Sequence, residues 1–307
     1  MLYGALALLA SMPGSLIPRA LGLGGEDWLA TATMRYVWSV VFLSLYVRSK
    51  FGSSVGRELV NLFRLYPTFW LIWALISGPA TYVPYVYAAT QMPAWLIAVT
   101  SRMDVLTTVL VLRLFGQRVE RRKMYFLSLM FMGVVLVNIS NAQGKIDMKG
   151  FLAVWLLLLA TLLEPLSNQL MRDARWGREL RPRWIPHIDT KVGTSSHCWV
   201  LLLYVLCLPQ MGIGLAVHPV LPSFQQIWST AIMAVCSSLV SVPLWMEFQH
   251  SAGRSANSIA LAGAMPALGI VFSLLAEIWL FHGAWPGSWG WTGIVFVIGG
   301  FFLYVRH

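Results

Sequence analysis

Glu164 stands inside a long apolar run and is followed by small and polar side chains, in the order Glu164, Pro165, Leu166, Ser167, Asn168, Gln169. A carboxylate in a low-dielectric cavity favours its protonated form, so it can load a proton from one side and lose it when a cation arrives. Protonation and cation binding then exclude each other at one residue, which is the chemistry of antiport. Asp104 is a second acid inside an apolar run, two residues after Arg102, and Arg35 is a further basic residue in such a setting. An ionisable group at the centre of a bilayer costs about 2.5 to 3.5 kcal/mol, so each must be paired, hydrated or functional. Residues two apart on a regular helix point to nearly opposite sides, so Arg102 and Asp104 are expected to need partners from other helices. Arg35 for Asp104 and Glu164 for Arg102 are the pairings on offer. A buried ion-pair network that only holds the bundle together is an equal reading for Arg35, Arg102 and Asp104. Glu247 and Glu277 lie near the ends of apolar runs, where an interfacial, snorkelling role is expected.

Aromatic residues offer the second piece of chemistry. The stretch SGPATYVPYVYAATQMP (77–93) carries Pro79 and Pro84, which interrupt a helical hydrogen-bond ladder, and Tyr82 and Tyr85 three residues apart on one face. A kinked helix at membrane depth is tolerated where its freed carbonyls meet protein or a watery cavity. Aromatic faces attract organic cations, so Tyr82, Tyr85, Trp95 and Trp245, with Asn168 beside the acid, are the candidate substrate contacts. Packing residues with a satisfied hydroxyl or indole are the competing reading.

These residues need long apolar helices to position them. Of 307 residues 58% are hydrophobic and 11% charged, against roughly a quarter charged in a soluble domain. Apolar segments fall at 2–18, 28–47, 67–89, 93–114, 124–141, 150–171, 196–217, 225–247, 255–281 and 288–306, each near the ~20 residues that a crossing needs. The expected fold is therefore all-α and integral to the membrane, with ten transmembrane helices. Runs such as FLAVWLLLLATLL (151–163) do not alternate as barrel strands do. The first segment lacks the basic start and small-residue site of a secretory signal and is read as a crossing.

The basic residues set the orientation. With the N-terminus inside, seventeen of the 22 Lys and Arg fall on the cytoplasmic side and only Arg19, Lys145 and Lys149 on the other, which places both termini in the cytoplasm. The net charge of +10 is then a matter of topology, and clusters such as RVERRK (118–123) and the loop 172–196 are anchors against anionic lipid rather than nucleic-acid contacts. Cys198, Cys207 and Cys236 show no metal-ligand spacing. The histidines form no metal motif, so no cofactor or metal is expected.

Dividing the chain at 1–145 and 146–307 gives two five-helix halves with weak internal echoes. VPYVYAAT (83–90) sits like VPLWMEFQ (242–249), and AWLIAVTSRMD (94–104) like NSIALAGAMP (257–266). Five crossings per half turn the second half upside down, so the halves are read as inverted repeats, an architecture of transporters with the substrate site near the midplane.

The Arg of MRY (34–36), the run PAWLIAV (93–99) and GAMPALGIVFSLLAE (263–277), in that order and spacing, resemble the drug/metabolite transporter superfamily over essentially the whole chain. PAWL together with EPLSNQ (164–169) is most similar to its multidrug resistance efflux branch. LLATLLEPLSNQLMR (158–172) also resembles the first helix of the small multidrug resistance transporters, and by that resemblance Glu164 is the carboxylate for which protons and cationic drug compete. The chain departs from that pattern at Pro165, and its first helix carries no acid. The resemblance implies a secondary transporter of the inner or plasma membrane, not an enzyme, that exports lipophilic cations or drugs by proton-coupled alternating access. A carrier of amino acids or anionic metabolites stays open, because an unpaired intramembrane Arg favours an anion. A membrane-embedded lipid enzyme, a non-transporting accessory subunit and a homodimer also stay open.

Overall fold

The computed structural model describes residues 2–115, 121–142, 148–176, 184–188, 193, 195–251, 268–283 and 285–306. Among them there is no strand. Helices α1 (Leu2–Leu23), α2 (Trp28–Phe51), α3 (Val55–Leu65), α4 (Pro67–Ser77), α5 (Pro79–Gln91), α6 (Ala94–Thr100), α7 (Met103–Leu114), α8 (Arg121–Ala142), α9 (Met148–Trp176) and α10 (Ser196–Val217) follow in chain order. Then come α11 (Phe224–Met233), a π-helical stretch (Ala234–Ser241), α12 (Val242–Ser251), α13 (Leu268–Trp279) and α14 (Ser288–Arg306). Seven helical spans among the described residues are long and apolar enough to cross a membrane. Shorter apolar helices at Met124–Ser140, Gly269–Trp279 and Ser288–Tyr304 occupy the places of the expected fifth, ninth and tenth crossings. The segment NSIALAGAMP, the first residues of GAMPALGIVFSLLAE, the boundary at 145, residues 118–120 of RVERRK and residues 177–183, 189–192 and 194 of the loop 172–196 lie outside the described residues.

The expected third and fourth crossings are each interrupted. Helix α4 ends at Gly78 and α5 starts at Pro79, a residue suited to the first helical position because it has no N–H to leave unsatisfied. Gly78 is where α10 comes closest: a Cβ there would lie 2.2 Å from Cys207 Sγ and 2.7 Å from the Ala74 carbonyl. Pro84 is carried inside α5. Between α6 and α7 the chain makes a turn at Ser101 and Arg102. In the eighth crossing the interruption takes another form, since α11 and α12 are joined by eight residues of π-helix, AVCSSLVS. Long π stretches are rare and recur at functional sites.

One further element was not expected. Helix α3 lies in what reads as a connecting loop, and it buries Val55, Leu59 and Leu62 along one face. Positions i, i+4 and i+7 form a single stripe, with Arg57, Glu58, Asn61 and Arg64 on the rest of the surface.

Two apolar cores flank the centre. One gathers Trp70, Trp73, Trp199, Phe69 and Tyr36 from α2, α4 and α10; the other gathers Leu96, Val109, Leu127, Ile270 and Val297 from α6, α7, α8, α13 and α14. In the second, α8 and α14 pack backbone to backbone. A Cβ on Gly133 would lie 2.6 Å from the Gly293 carbonyl, and one on Gly293 would lie 2.5 Å from the Gly133 carbonyl. Small residues at a crossing replace the hydrophobic drive that lipid cannot supply.

Candidate functional site

A cavity of about 270 Å³ opens between the cores, lined from α2, α4, α5, α9, α10 and α12. Glu164 lies 16 residues into the 29 of α9, about 24 Å from that helix's first residue, which sets it near mid-depth. Its side chain is exposed to this cavity and forms no hydrogen bond or ion pair among the described residues. The interrupted third crossing contributes next to its break: Ser77 lines the cavity one residue before Gly78, and Thr81, Tyr82 and Tyr85 line it just beyond. The hydroxyls of Ser77 and Ser167 are hydrogen-bonded to each other, tying α4 to α9 one helical turn from Glu164.

Arg35 occupies the α2 wall. It is 6% exposed, and its guanidinium carbon lies 3.8 Å from the centroid of the Tyr82 ring. Its Nε donates to Ser237 Oγ at 3.2 Å and its Nη2 to Tyr204 Oη, also at 3.2 Å. Ser237 belongs to the π-helical stretch. The neighbouring hydroxyls bind the same way, with Ser39 donating to Ser238 at 2.7 Å and Ser241 donating to the Ala7 carbonyl at 2.8 Å. The π stretch thus spaces three serines so that they meet α1 and α2.

Of the residues singled out from sequence, Glu164, Tyr82, Tyr85, Asn168, Trp245 and Arg35 line this one cavity. Trp95 does not. It is 5% exposed in the second core, with its indole N–H buried and without a partner. Asp104 and Arg102 are not lining residues either, and their expected geometry needs correction. The turn at Ser101 and Arg102 breaks the regular helical spacing, so Arg102 Nη1 reaches Asp104 Oδ2 at 3.6 Å and the two form an ion pair with each other. Arg102 also donates to the Ala98 carbonyl and to Ser101. The pairing of Arg35 with Asp104 is absent, and Arg35 instead meets Tyr82, Tyr204 and Ser237. Glu164 still lies near enough to Arg102 and Asp104 to feel both charges. The Tyr82 face, read from sequence as a seat for an organic cation, carries the chain's own guanidinium.

Glu277 is likewise corrected from an interfacial group to a buried one. It is 2% exposed, its Oε1 accepts from Arg19 Nη2 at 2.9 Å, and its Oε2 accepts from the Ala94 backbone N–H at 2.8 Å. One carboxylate therefore joins the end of α1, the start of α6 and the end of α13. Glu247 pairs with Arg175 at 3.7 Å and accepts from the Ser196 hydroxyl, joining α9, α10 and α12 at another helix end. Sequence reasoning also missed Tyr204 and Ser237 as partners of Arg35. Their signal was available: Tyr204 is the only hydroxyl in LLLYVLC (201–207), and Ser237, Ser238 and Ser241 cluster in an otherwise apolar crossing.

Multiple long apolar helices define a multi-pass membrane protein, and the cavity among them is the candidate site. The chain belongs to the family described as "EmrE: Putative multidrug resistance efflux transporter", whose model matches residues 1–307, within the drug/metabolite transporter superfamily. That is a family of small-solute transporters. The chain is 25% identical over 314 residues to the uncharacterized protein YjlA of Bacillus subtilis (strain 168), covering 98% of this chain and 92% of that one. It is also 25% identical over 274 residues to an uncharacterized 42.1 kDa protein of Shouchella clausii, named from its place in the intracellular alkaline protease 3' region, with 84% and 67% covered. A solved structure ("Crystal structure of protein") shares the fold at TM-score 0.60 and 14% identity over 98% of this chain and 94% of that one.

Proposed function

We propose that this protein exports small organic solutes across the plasma (inner) membrane by proton-coupled alternating access, with Glu164 as the proton-carrying residue. The observation that carries the reading is an unpaired carboxylate at mid-depth that opens into a solute-sized cavity. Such a group can hold a proton or a substrate cation but not both. Its charged and titratable surroundings are Arg102 and Asp104, which offset each other, with Tyr85 on the facing helix and Arg35 across the cavity.

The helix packing supports ten crossings in two inverted halves, and the Lys and Arg distribution supports both termini being cytoplasmic. Exchange each crossing for the one five further along the chain. The pairs α2 with α10, α6 with α13 and α8 with α14 then map onto themselves. The packing of α1 on the π stretch and α12 becomes the packing of α9 on α5 and α4, which is also present. A two-fold relation of this kind gives two related ways to open one central site.

The test is uptake of a panel of small solutes into proteoliposomes that hold only this protein, with an imposed pH gradient. Wild-type protein is expected to accumulate a solute in response to the gradient, and Glu164→Gln to lose that response while still inserting and remaining monodisperse. Gradient-driven accumulation that survives in Glu164→Gln would overturn the assignment of Glu164.

A further inference from the structure

Among the described residues, the lining of the cavity contains one cation and one carboxylate, Arg35 and Glu164. Arg35 has no carboxylate within ion-pair distance among the described residues. Its partners are the hydroxyls of Ser237 and Tyr204 and the face of the Tyr82 ring, all of them neutral. A buried cation without a counter-charge is costly, and hydroxyls and an aromatic face offset only part of that cost. A guanidinium has five N–H groups in a fork that matches a carboxylate, and the two hydroxyls take two of them.

Glu164 is the complementary half of the argument, because it is equally unpaired and opens into the same space. A permanent cation with no anionic group would satisfy Glu164 but would also meet the positive charge of Arg35. It would find the Tyr82 face already taken. A volume of about 270 Å³ is at the lower edge of ligand pockets, which run from about 300 to 1,000 Å³, and suits one small molecule.

We infer that the cavity is built for an amphipathic zwitterion, with a carboxylate on Arg35, an ammonium group on Glu164 and an apolar or aromatic body against Tyr85 and Trp245. The inference rests on the transport reading above and specifies its substrate class. A zwitterion leaves the loaded cavity neutral, and each end of it replaces a counter-charge that the empty cavity lacks.

Three probes of one shape separate the possibilities: tryptophan, its amide without the carboxylate, and indole-3-propionate without the ammonium. Equilibrium binding of each radiolabelled probe is measured on full-length protein in nanodiscs. Wild-type protein is expected to bind tryptophan most tightly. Arg35→Gln should weaken tryptophan and indole-3-propionate about tenfold or more, as loss of a charge-assisted contact implies, and leave tryptophanamide within about twofold. Glu164→Gln should weaken tryptophan and tryptophanamide by a similar factor and leave indole-3-propionate within about twofold. Tryptophanamide binding to wild type as tightly as tryptophan, or Arg35→Gln weakening all three probes equally, would overturn the inference. Should Arg35→Gln not fold, the wild-type ranking decides the matter together with Arg35→Lys, which keeps the charge without the fork and should weaken tryptophan and indole-3-propionate but not tryptophanamide; equal weakening of all three would overturn the inference. Tryptophan binding with the expected ranking but without gradient-driven uptake would support the site and overturn the transport reading. Uptake confined to tryptophanamide would leave transport standing and overturn the zwitterion.

Discussion

At the scale of single residues, Arg35 and Glu277 show how similar sequence contexts lead to different physical ends. Both are ionisable groups in apolar surroundings, yet Glu277 is neutralised by Arg19 and hydrogen-bonded by the Ala94 N–H, whereas Arg35 has only neutral partners. Removing the charge of Glu277 leaves Arg19 without its counter-charge. Breaking a buried ion pair from one side costs about 3 to 5 kcal/mol, so Glu277→Gln should lower the thermal midpoint of the detergent-purified protein markedly. An unchanged midpoint would mean that the pair contributes nothing. Tyr82→Ala removes the ring on which the Arg35 guanidinium rests and should reduce affinity for a carboxylate-bearing solute more than for its amide, as binding measurements on both would show. The depth of Glu164, Tyr82, Tyr85, Asn168 and Trp245 was legible because apolar run length sets depth directly. The Arg102 and Asp104 pairing was not, because the turn that brings them together has no Gly or Pro to announce it. Trp95 was misread because an aromatic in an apolar crossing faces a core and a cavity with equal ease, and only the packing of the neighbouring helices decides between them.

At the scale of elements, the site depends on irregular helices. Gly78 lets α10 approach the break between α4 and α5, and the π stretch turns its serines toward α1 and α2. The pair Pro79 and Pro84 suggested a kink, and the break settles at the first of them, where the glycine supplies the room. The π stretch left no trace in the sequence, since AVCSSLVS is compatible with an ordinary α-helix and its extra residue per turn is imposed by contacts with other helices. Helix α3 was missed because a short stripe of Val55, Leu59 and Leu62 among charges falls below the length of a crossing. The contact between Gly133 and Gly293 makes a firm expectation. Gly293→Val must push its side chain into the Gly133 carbonyl and the Val137 backbone and side chain, and overpacking of that kind costs about 1 to 3 kcal/mol. The variant should lose thermal stability, while the same change at Gly299, which has open space around it, should not. Equal midpoints for the two variants would refute the close packing of α8 on α14.

At the scale of the whole molecule, the composition announced a bilayer and the packing of the helices gives that statement a form. On the proposed topology the charge excess sets orientation, so a cysteine placed in the loop 172–196 should react with an impermeant reagent in inside-out vesicles and stay unlabelled in intact cells. Labelling from outside would reverse the topology. What ties the levels together in the proposed function is one carboxylate, Glu164, shared in turn by a proton and a solute inside a small cavity that Arg35 also lines. The most direct test is proton release when a binding solute is added to purified protein in weak buffer. Wild-type protein should release protons in proportion to the solute bound, and Glu164→Gln, saturated at the higher solute concentration its weaker binding requires, should release none. Solute binding to wild-type protein without proton release would contradict the exchange at Glu164.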